Sequence, residues 1–403
     1  MPPISNIADL RAIAYRKIPR VIFDFVDGGG YDEVTMNANR SDLNALRFHQ
    51  RVMVDVSTRS LQSTILGQTV SMPVAIAPAG LTGLVHGDGE ILAARAAQAF
   101  GVPFCLSTMS ICSIEDVRAA VDKPFWFQLY VMKDRDFSKS LIQRAVDAKC
   151  SALVLAVDAP MRGQLNRDIK NGLAVPPRLT LANALNLATK PMWILRVLLG
   201  KRKTFGNLAG QIDGASDIKA YSSWIINQFD PSLTWRDVRW VRDLWPGKLI
   251  VKGVLSPEDA RLAVDIGCDA IVVSNHGGRQ LDGAPSSIAV LGSVVDAVGH
   301  RAEIMFDSGV RSGQDMLKAL ALGARACLIG RAPLYGLGAM GEAGVRTALE
   351  ILRKELDFSM ALTGLRDVRD ASRDLLWSAA PSLPITDQPI HKLSPRIDTV
   401  TTK

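Results

Sequence analysis

Apolar and polar positions along this chain follow two different periods. Over residues 5–27 the apolar side chains Ile7, Leu10, Ile13, Ala14, Ile18, Val21, Ile22 and Phe25 recur at helical spacing, with charges between them. Pro19 predicts a break into two helices, because it has no N–H to give and its ring crowds the preceding turn. Gly28-Gly29-Gly30 ends the run, and a segment to about residue 70 reads as a link carrying little chemistry. Then short apolar runs of strand length recur at 73–78, 103–107, 125–130 and 152–157, and again at 248–252, 269–274, 302–307 and 325–330. Amphipathic stretches at 89–100, 113–121, 135–149, 256–266, 312–322 and 341–356 separate most of them. Eight strands alternating with helices is the count of a closed (β/α)8 barrel, the TIM barrel of the α/β class. An open doubly wound sheet is the alternative, but no GxGxxG follows the first strand. The expected organisation is one barrel domain over 1–380, with an N-terminal helical segment at 1–70 and an insertion at 159–247 after the fourth strand. The Pro-rich, polar stretch 381–403 reads as an extended or disordered tail.

Composition narrows the function. An apolar fraction of 48% supplies a core, and a net charge of +7 suits an anionic substrate, cofactor or membrane surface. No Lys/Arg block suited to nucleic acid stands out. The five cysteines (105, 112, 150, 268 and 327) form no CxxC, Cys150, Cys268 and Cys327 read as buried thiols beside strand-like runs, and a reducing cytoplasm fits. The N-terminus has no apolar signal region, and no apolar run reaches the length of a membrane span. Within the insertion, the largely apolar stretch from Pro191 to Gly200 ends in Lys201-Arg202-Lys203, which suits lying on an anionic bilayer surface.

A barrel enzyme carries its chemistry at the C-terminal ends of its strands. Here those ends read Pro78-Ala79-Gly80, Ser107-Thr108, Gln128 with Tyr130, Asp158, Lys252, Asn275-His276, Asp307-Ser308-Gly309 and Gly330-Arg331. Nearly every one offers a polar group or a glycine. The last two, with Arg311, would cradle a phosphate monoester through backbone N–H groups and two guanidiniums. Lys252 would stabilise an anionic, electron-rich ring, and Ser107 and Gln128 suit the polar edge of one. A phosphate-tailed ring of that kind points to flavin mononucleotide (FMN), with no metal expected. His276 suits a general base, and Asp158 the carboxylate that orients it. Arg279 would clamp a substrate carboxylate and Tyr130 would meet the substrate hydroxyl.

The motifs SMPVAIAP (71–78), WFQLYV (126–131), VKG (251–253), SNHGGRQLD (274–282), DSGVR (307–311) and ALGARACLIGR (321–331) resemble, in that order, the FMN-dependent α-hydroxy acid dehydrogenase/oxidase family. The resemblance covers about residues 5–380. GGGYDE (28–33), STMSICSIEDV (107–117) and FDPSLTWRDVRWVRDLW (229–245) look most like its bacterial, membrane-associated L-lactate dehydrogenases. It implies oxidation of an L-2-hydroxy acid to the 2-oxo acid with His276 as base, and electrons passed from FMN to a quinone or similar acceptor. It also implies peripheral contact with the inner face of the cell membrane and a homo-oligomer, a tetramer by family. Gly80 lies where the family's dehydrogenases often have Gly and its oxidases Ala.

Three positions depart from the family. Phe25 stands where a Tyr usually helps bind the substrate carboxylate, Leu165 where an Arg supplies a second cation, and Ala156 where a Thr touches the flavin. Each lost charged hydrogen bond to a carboxylate costs about 1.5–3 kcal/mol, which disfavours a minimal acid such as lactate. The expected substrate is therefore a larger, more apolar 2-hydroxy acid, or a hydroxyl compound whose carboxylate is absent or masked. An oxygen-using oxidase and a non-catalytic flavin-binding barrel are the alternatives.

Overall fold

A computed structural model of the protein describes residues 3–161, 163–172, 180–208 and 227–377. The expected tail and parts of the insertion lie outside the described residues. The chain opens with helices Ile7–Lys17 and Arg20–Asp27, divided at Pro19 as its ring requires. Asn6 starts the first through a capping box with Asp9, and Ile7, Leu10 and Ala14 bury its inner face. The second ends on Asp27, whose carboxylate meets Arg11 at 2.6 Å, Tyr335 at 2.7 Å and Arg167 at 3.2 Å. Burial works to raise the Asp27 carboxyl, but Arg11, Tyr335 and Arg167 outweigh it and bring it down to about 2. A lowered carboxyl stabilises the fold above its unfolded range and loses that effect as pH falls toward the folded value. Asp27→Asn should therefore cost about 1 kcal/mol at neutral pH once solvent screening is allowed for. Denaturant titrations should show that gap closing between about pH 4 and pH 2.

The segment after Gly30, expected to be a plain link, is ordered. It forms helix Val34–Ala45 and a hairpin of β1 (Ser63–Ile65) and β2 (Gln68–Val70). The helix buries only Thr35, Asn39 and Leu43, too sparse a stripe to register as a period, and each hairpin strand is three residues long.

The barrel strands follow: β3 (Val74–Ile76), β4 (Cys105–Ser107), β5 (Trp126–Leu129), β6 (Ala152–Ala156), β7 (Lys248–Val254), β8 (Ala270–Val273), β9 (Glu303–Phe306) and β10 (Ala326–Ile329). All pair in parallel, and β10 returns to β3 with Cys327 opposite Val74. A bridge between Ile76 and Phe104 closes the ring. Strands buried on both faces read as continuous apolar runs, which is why each was visible in the sequence. Inside, small Ala75, Ala152, Ala270 and Ala326 interleave with Trp126, Ile250, Met305 and Leu328, all fully buried. Ile65 and Val70 of the hairpin plug one end of this core. The five cysteines are buried and unpaired.

The insertion is shorter than the sequence suggests, because helix Trp235–Leu244 serves as the ordinary crossover into β7. Its described part holds helices Asn166–Lys170, Leu181–Ala188 and Pro191–Trp193, the last continuing as a π-helical turn, Ile194–Leu198. Among the described residues no helix is long and apolar enough to cross a membrane.

Candidate active site

The C-terminal strand ends surround one cleft. Every expected site residue lines it except Asp158, which stands behind His276. His276 follows β8 with φ of 59°, left-handed backbone that His tolerates better than most residues. Its N–H donates to Ser274 Oγ at 3.1 Å, and the Gly277 N–H to Ser308 Oγ at 3.0 Å. A Cβ on Gly278 would sit 2.5 Å from the Met36 nitrogen, so that position needs glycine.

The imidazole Nδ1 lies 3.0 and 3.1 Å from the two oxygens of Asp158. Gly253 makes this pair possible: β7 carries a register shift between Lys252 and Val254, and a Cβ on Gly253 would come within 2.4 Å of the Asp158 carboxyl carbon. Burial works to raise Asp158, yet contact with His276 and the charge of Lys252 leave it below the usual carboxylate range. An ionised Asp158 holds the Nδ1 proton and leaves Nε2 as the acceptor. Tyr130 Oη lies 3.4 Å from that Nε2. Burial, then the Asp158 charge, hold its phenol well above the ordinary value, so it stays a donor.

Lys252 is 4% exposed and bonded to Ser274 Oγ at 2.8 Å and Asp307 Oδ2 at 3.0 Å. Burial would discharge it, but Asp307 and Asp158 prevail and raise its pKa. Gln128 accepts from Ser107 Oγ at 3.0 Å through Oε1, while its buried Nε2 has no protein partner. A buried donor without a partner costs about 1–3 kcal/mol unless a ligand accepts from it.

Arg279, Arg311 and Arg331 gather round the same cleft. Arg331 donates to the carbonyls of Val26 at 2.9 Å, Gly277 at 3.0 Å and Gly28 at 2.7 Å, tying the N-terminal segment to the His276 loop. Burial first, then Arg311 and Arg279, push its pKa down to about 9. Mutually repelling guanidiniums favour an anionic ligand. An unpartnered amide donor beside a buried ammonium, with clustered guanidiniums and the small residues Gly309 and Gly330, fits a flavin ring with a phosphate tail.

The three departures sit differently. Phe25 lines the cleft with the Arg279 guanidinium 5.0 Å from its ring centre, and Arg279 Nη1 also donates to the carbonyls of Phe25 and Gly28 at 2.7 and 2.8 Å. Ala156 lines the cleft. Leu165 is buried just before helix Asn166–Lys170 and does not line it. Arg167, the next cation along the chain, pairs with Asp27 and Glu33.

One pair escaped the sequence reading. Asn39, on helix Val34–Ala45, and Asn275 exchange side-chain hydrogen bonds of 2.9 and 2.7 Å, and Asn275 Oδ1 also accepts the Gly278 N–H at 3.0 Å. The pair fixes the loop that carries His276. Its only sequence signal was an Asn beside that His.

The family described as FMN-dependent dehydrogenase matches residues 14–378. An L-lactate dehydrogenase of Caulobacter vibrioides is 47% identical over 379 residues, spanning 94% of this chain and 99% of that protein. The crystal structure of the monotopic membrane protein (S)-mandelate dehydrogenase superposes with a TM-score of 0.88 at 39% identity, over 93% of this chain and 99% of the other. An arginine-to-leucine variant of mandelate oxidase, solved with 2-hydroxy-phenylacetamide, gives a TM-score of 0.78 at 38% identity, over 92% and 98%.

Proposed function

The chain belongs to the FMN-dependent dehydrogenase family, an oxidoreductase acting on CH–OH groups, and from that premise we propose that His276 is the base in oxidising an aryl or similarly bulky 2-hydroxy acid. The carrying observation is the Asp158–His276–Tyr130 line, with Nε2 open to the cleft and a phenol 3.4 Å away.

Ser107, Gln128 and Lys252 would hold the ring of FMN, and Gly309, Gly330, Arg311 and Arg331 its phosphate. Bound FMN supplies the acceptor for the two electrons and the hydrogen that leave the substrate C2. His276 Nε2 takes the hydroxyl proton, and Asp158 stabilises the imidazolium that forms. Tyr130 donates to the substrate oxygen and holds it beside Nε2. Arg279, whose Nη1 donates to the Phe25 and Gly28 carbonyls, binds the carboxylate.

The substrate reading rests on Phe25, an apolar ring lining the cleft against Arg279, and on Leu165 and Arg167, neither of which supplies the cleft with a second cation. An uncharged 2-hydroxy amide is the second reading, favoured by the ligand of the mandelate oxidase variant. Gly80 and the likeness to a monotopic dehydrogenase support a quinone-type acceptor, reached from the inner face of the membrane.

Anaerobic bleaching of the bound flavin tests this reading. Mandelate-like acids should bleach it faster than lactate, and Phe25→Tyr, which puts a hydroxyl into the cleft beside Arg279, should raise efficiency on lactate by about tenfold or more. Fast bleaching by lactate with no gain in that variant would overturn the substrate reading. A flavin that no 2-hydroxy acid or amide bleaches would leave a binding protein in its place.

A further inference from the structure

A second pocket, with about 780 Å³ of open space, lies where the insertion packs against the first helix and the turn after helix Thr82–Val85. Arg16, Lys17, Lys190 and Arg196 line it together with His86, and no carboxylate does so. Asp88, nearby in sequence, is held by Arg202 at 2.6 Å. Lys17 spends one N–H on the Ala339 carbonyl at 2.7 Å, and Lys190 one on the Arg16 carbonyl, which leaves each ammonium two further donors. His86 Nδ1 lies 2.8 Å from the Gly87 carbonyl, so Nε2 accepts from Arg196 Nη1 at 3.2 Å. A neutral partner thus positions the guanidinium without cancelling its charge.

The pocket is built rather than incidental. Trp193 is 9% exposed and donates to the Leu84 carbonyl at 2.7 Å, anchoring the π-helical turn. A Cβ on Gly87 would fall 2.2 Å from the Arg196 carbonyl oxygen, so the turn seats only over glycine there. π-helical turns often mark functional sites. Ile18, Val85 and Val197 give the pocket an apolar side. Met192, Leu195, Leu198 and Leu199, on or beside the same turn, are 44–69% exposed. A free anion would satisfy the cations and leave these side chains in water; an anionic amphiphile uses both.

We propose that this pocket binds the phosphate group of an anionic phospholipid, with Leu195, Leu198 and Leu199 entering the acyl boundary around it. This deepens the peripheral-membrane reading above and rests on it. The pocket selects the headgroup charge, and the apolar turn supplies the insertion.

The test uses the FMN-loaded, full-length protein and co-sedimentation with vesicles of phosphatidylcholine, alone or mixed with phosphatidylglycerol. Wild type should prefer the mixed vesicles. Lys190→Gln/Arg196→Gln should bind them about 10- to 30-fold more weakly, with binding to neutral vesicles and flavin bleaching unchanged. Lys201→Gln/Lys203→Gln removes the same charge outside the pocket and should lose much less. Equal losses from the two double variants would overturn the pocket in favour of diffuse attraction. Displacement from the vesicles by millimolar inorganic phosphate or glycerol phosphate would overturn the lipid assignment in favour of a free phosphate site. Wild type that binds neither vesicle would instead sink the membrane reading itself.

Discussion

His276→Asn is expected to slow anaerobic reduction of the bound flavin by the 2-hydroxy acid about 10³-fold, within the 10²–10⁴ that a positioned general base contributes. Asn is the suitable replacement because residue 276 has φ of 59°, and Asn accepts left-handed backbone where a bulkier side chain would add strain. The loop should survive, since its N–H groups bond to Ser274 and Ser308 through the main chain. Flavin content should therefore match wild type. Single-turnover reduction is the measurement to make, because steady-state turnover would hide the chemical step behind reoxidation or product release. A reduction rate within tenfold of wild type would remove His276 from the base role and leave Tyr130 as the group to examine.

Lys252→Met should be the most damaging change to the folded state. The ammonium is 4% exposed and touches Asp307, and Asp158 lies close enough to help raise its pKa. Removing it strands the Asp307 carboxylate inside the barrel mouth. Breaking one side of a buried pair costs about 3–5 kcal/mol, most of it from the charge left behind. The measurement is the unfolding free energy with and without added FMN. Lys252→Met/Asp307→Asn should recover most of the loss, because Ser308 Oγ can still donate to the amide oxygen and no charge is orphaned. Flavin affinity should stay low in both variants. If the double variant is no more stable than the single one, packing around Lys252 rather than its charge holds this corner.

How much of this was legible beforehand depends on whether the signal is local. Each barrel strand is buried on both faces, so it appears as an unbroken apolar run, and its polar end marks the mouth. Reading those ends in order named much of the cleft lining, though not Phe25, Val26 or Leu334. Helix Val34–Ala45 was not legible, because a helix that buries Thr35, Asn39 and Leu43 among polar neighbours has almost no apolar period. Its function is also non-local: Asn39 matters only because folding brings it against Asn275.

The sequence by itself determined the barrel, the family and the residues that meet at the strand ends, since period and motif are properties of neighbouring positions. Only the tertiary structure decided how those residues share their bonds. It gave Arg331 to three main-chain carbonyls, drew Arg167 away into Asp27 and Glu33, and laid Arg279 over Phe25. It also showed why Gly253 is glycine, an answer that lies in the Asp158 carboxyl beside it and in no nearby residue. A side chain's partners are set by distances across the fold, and a one-dimensional pattern carries no such distances.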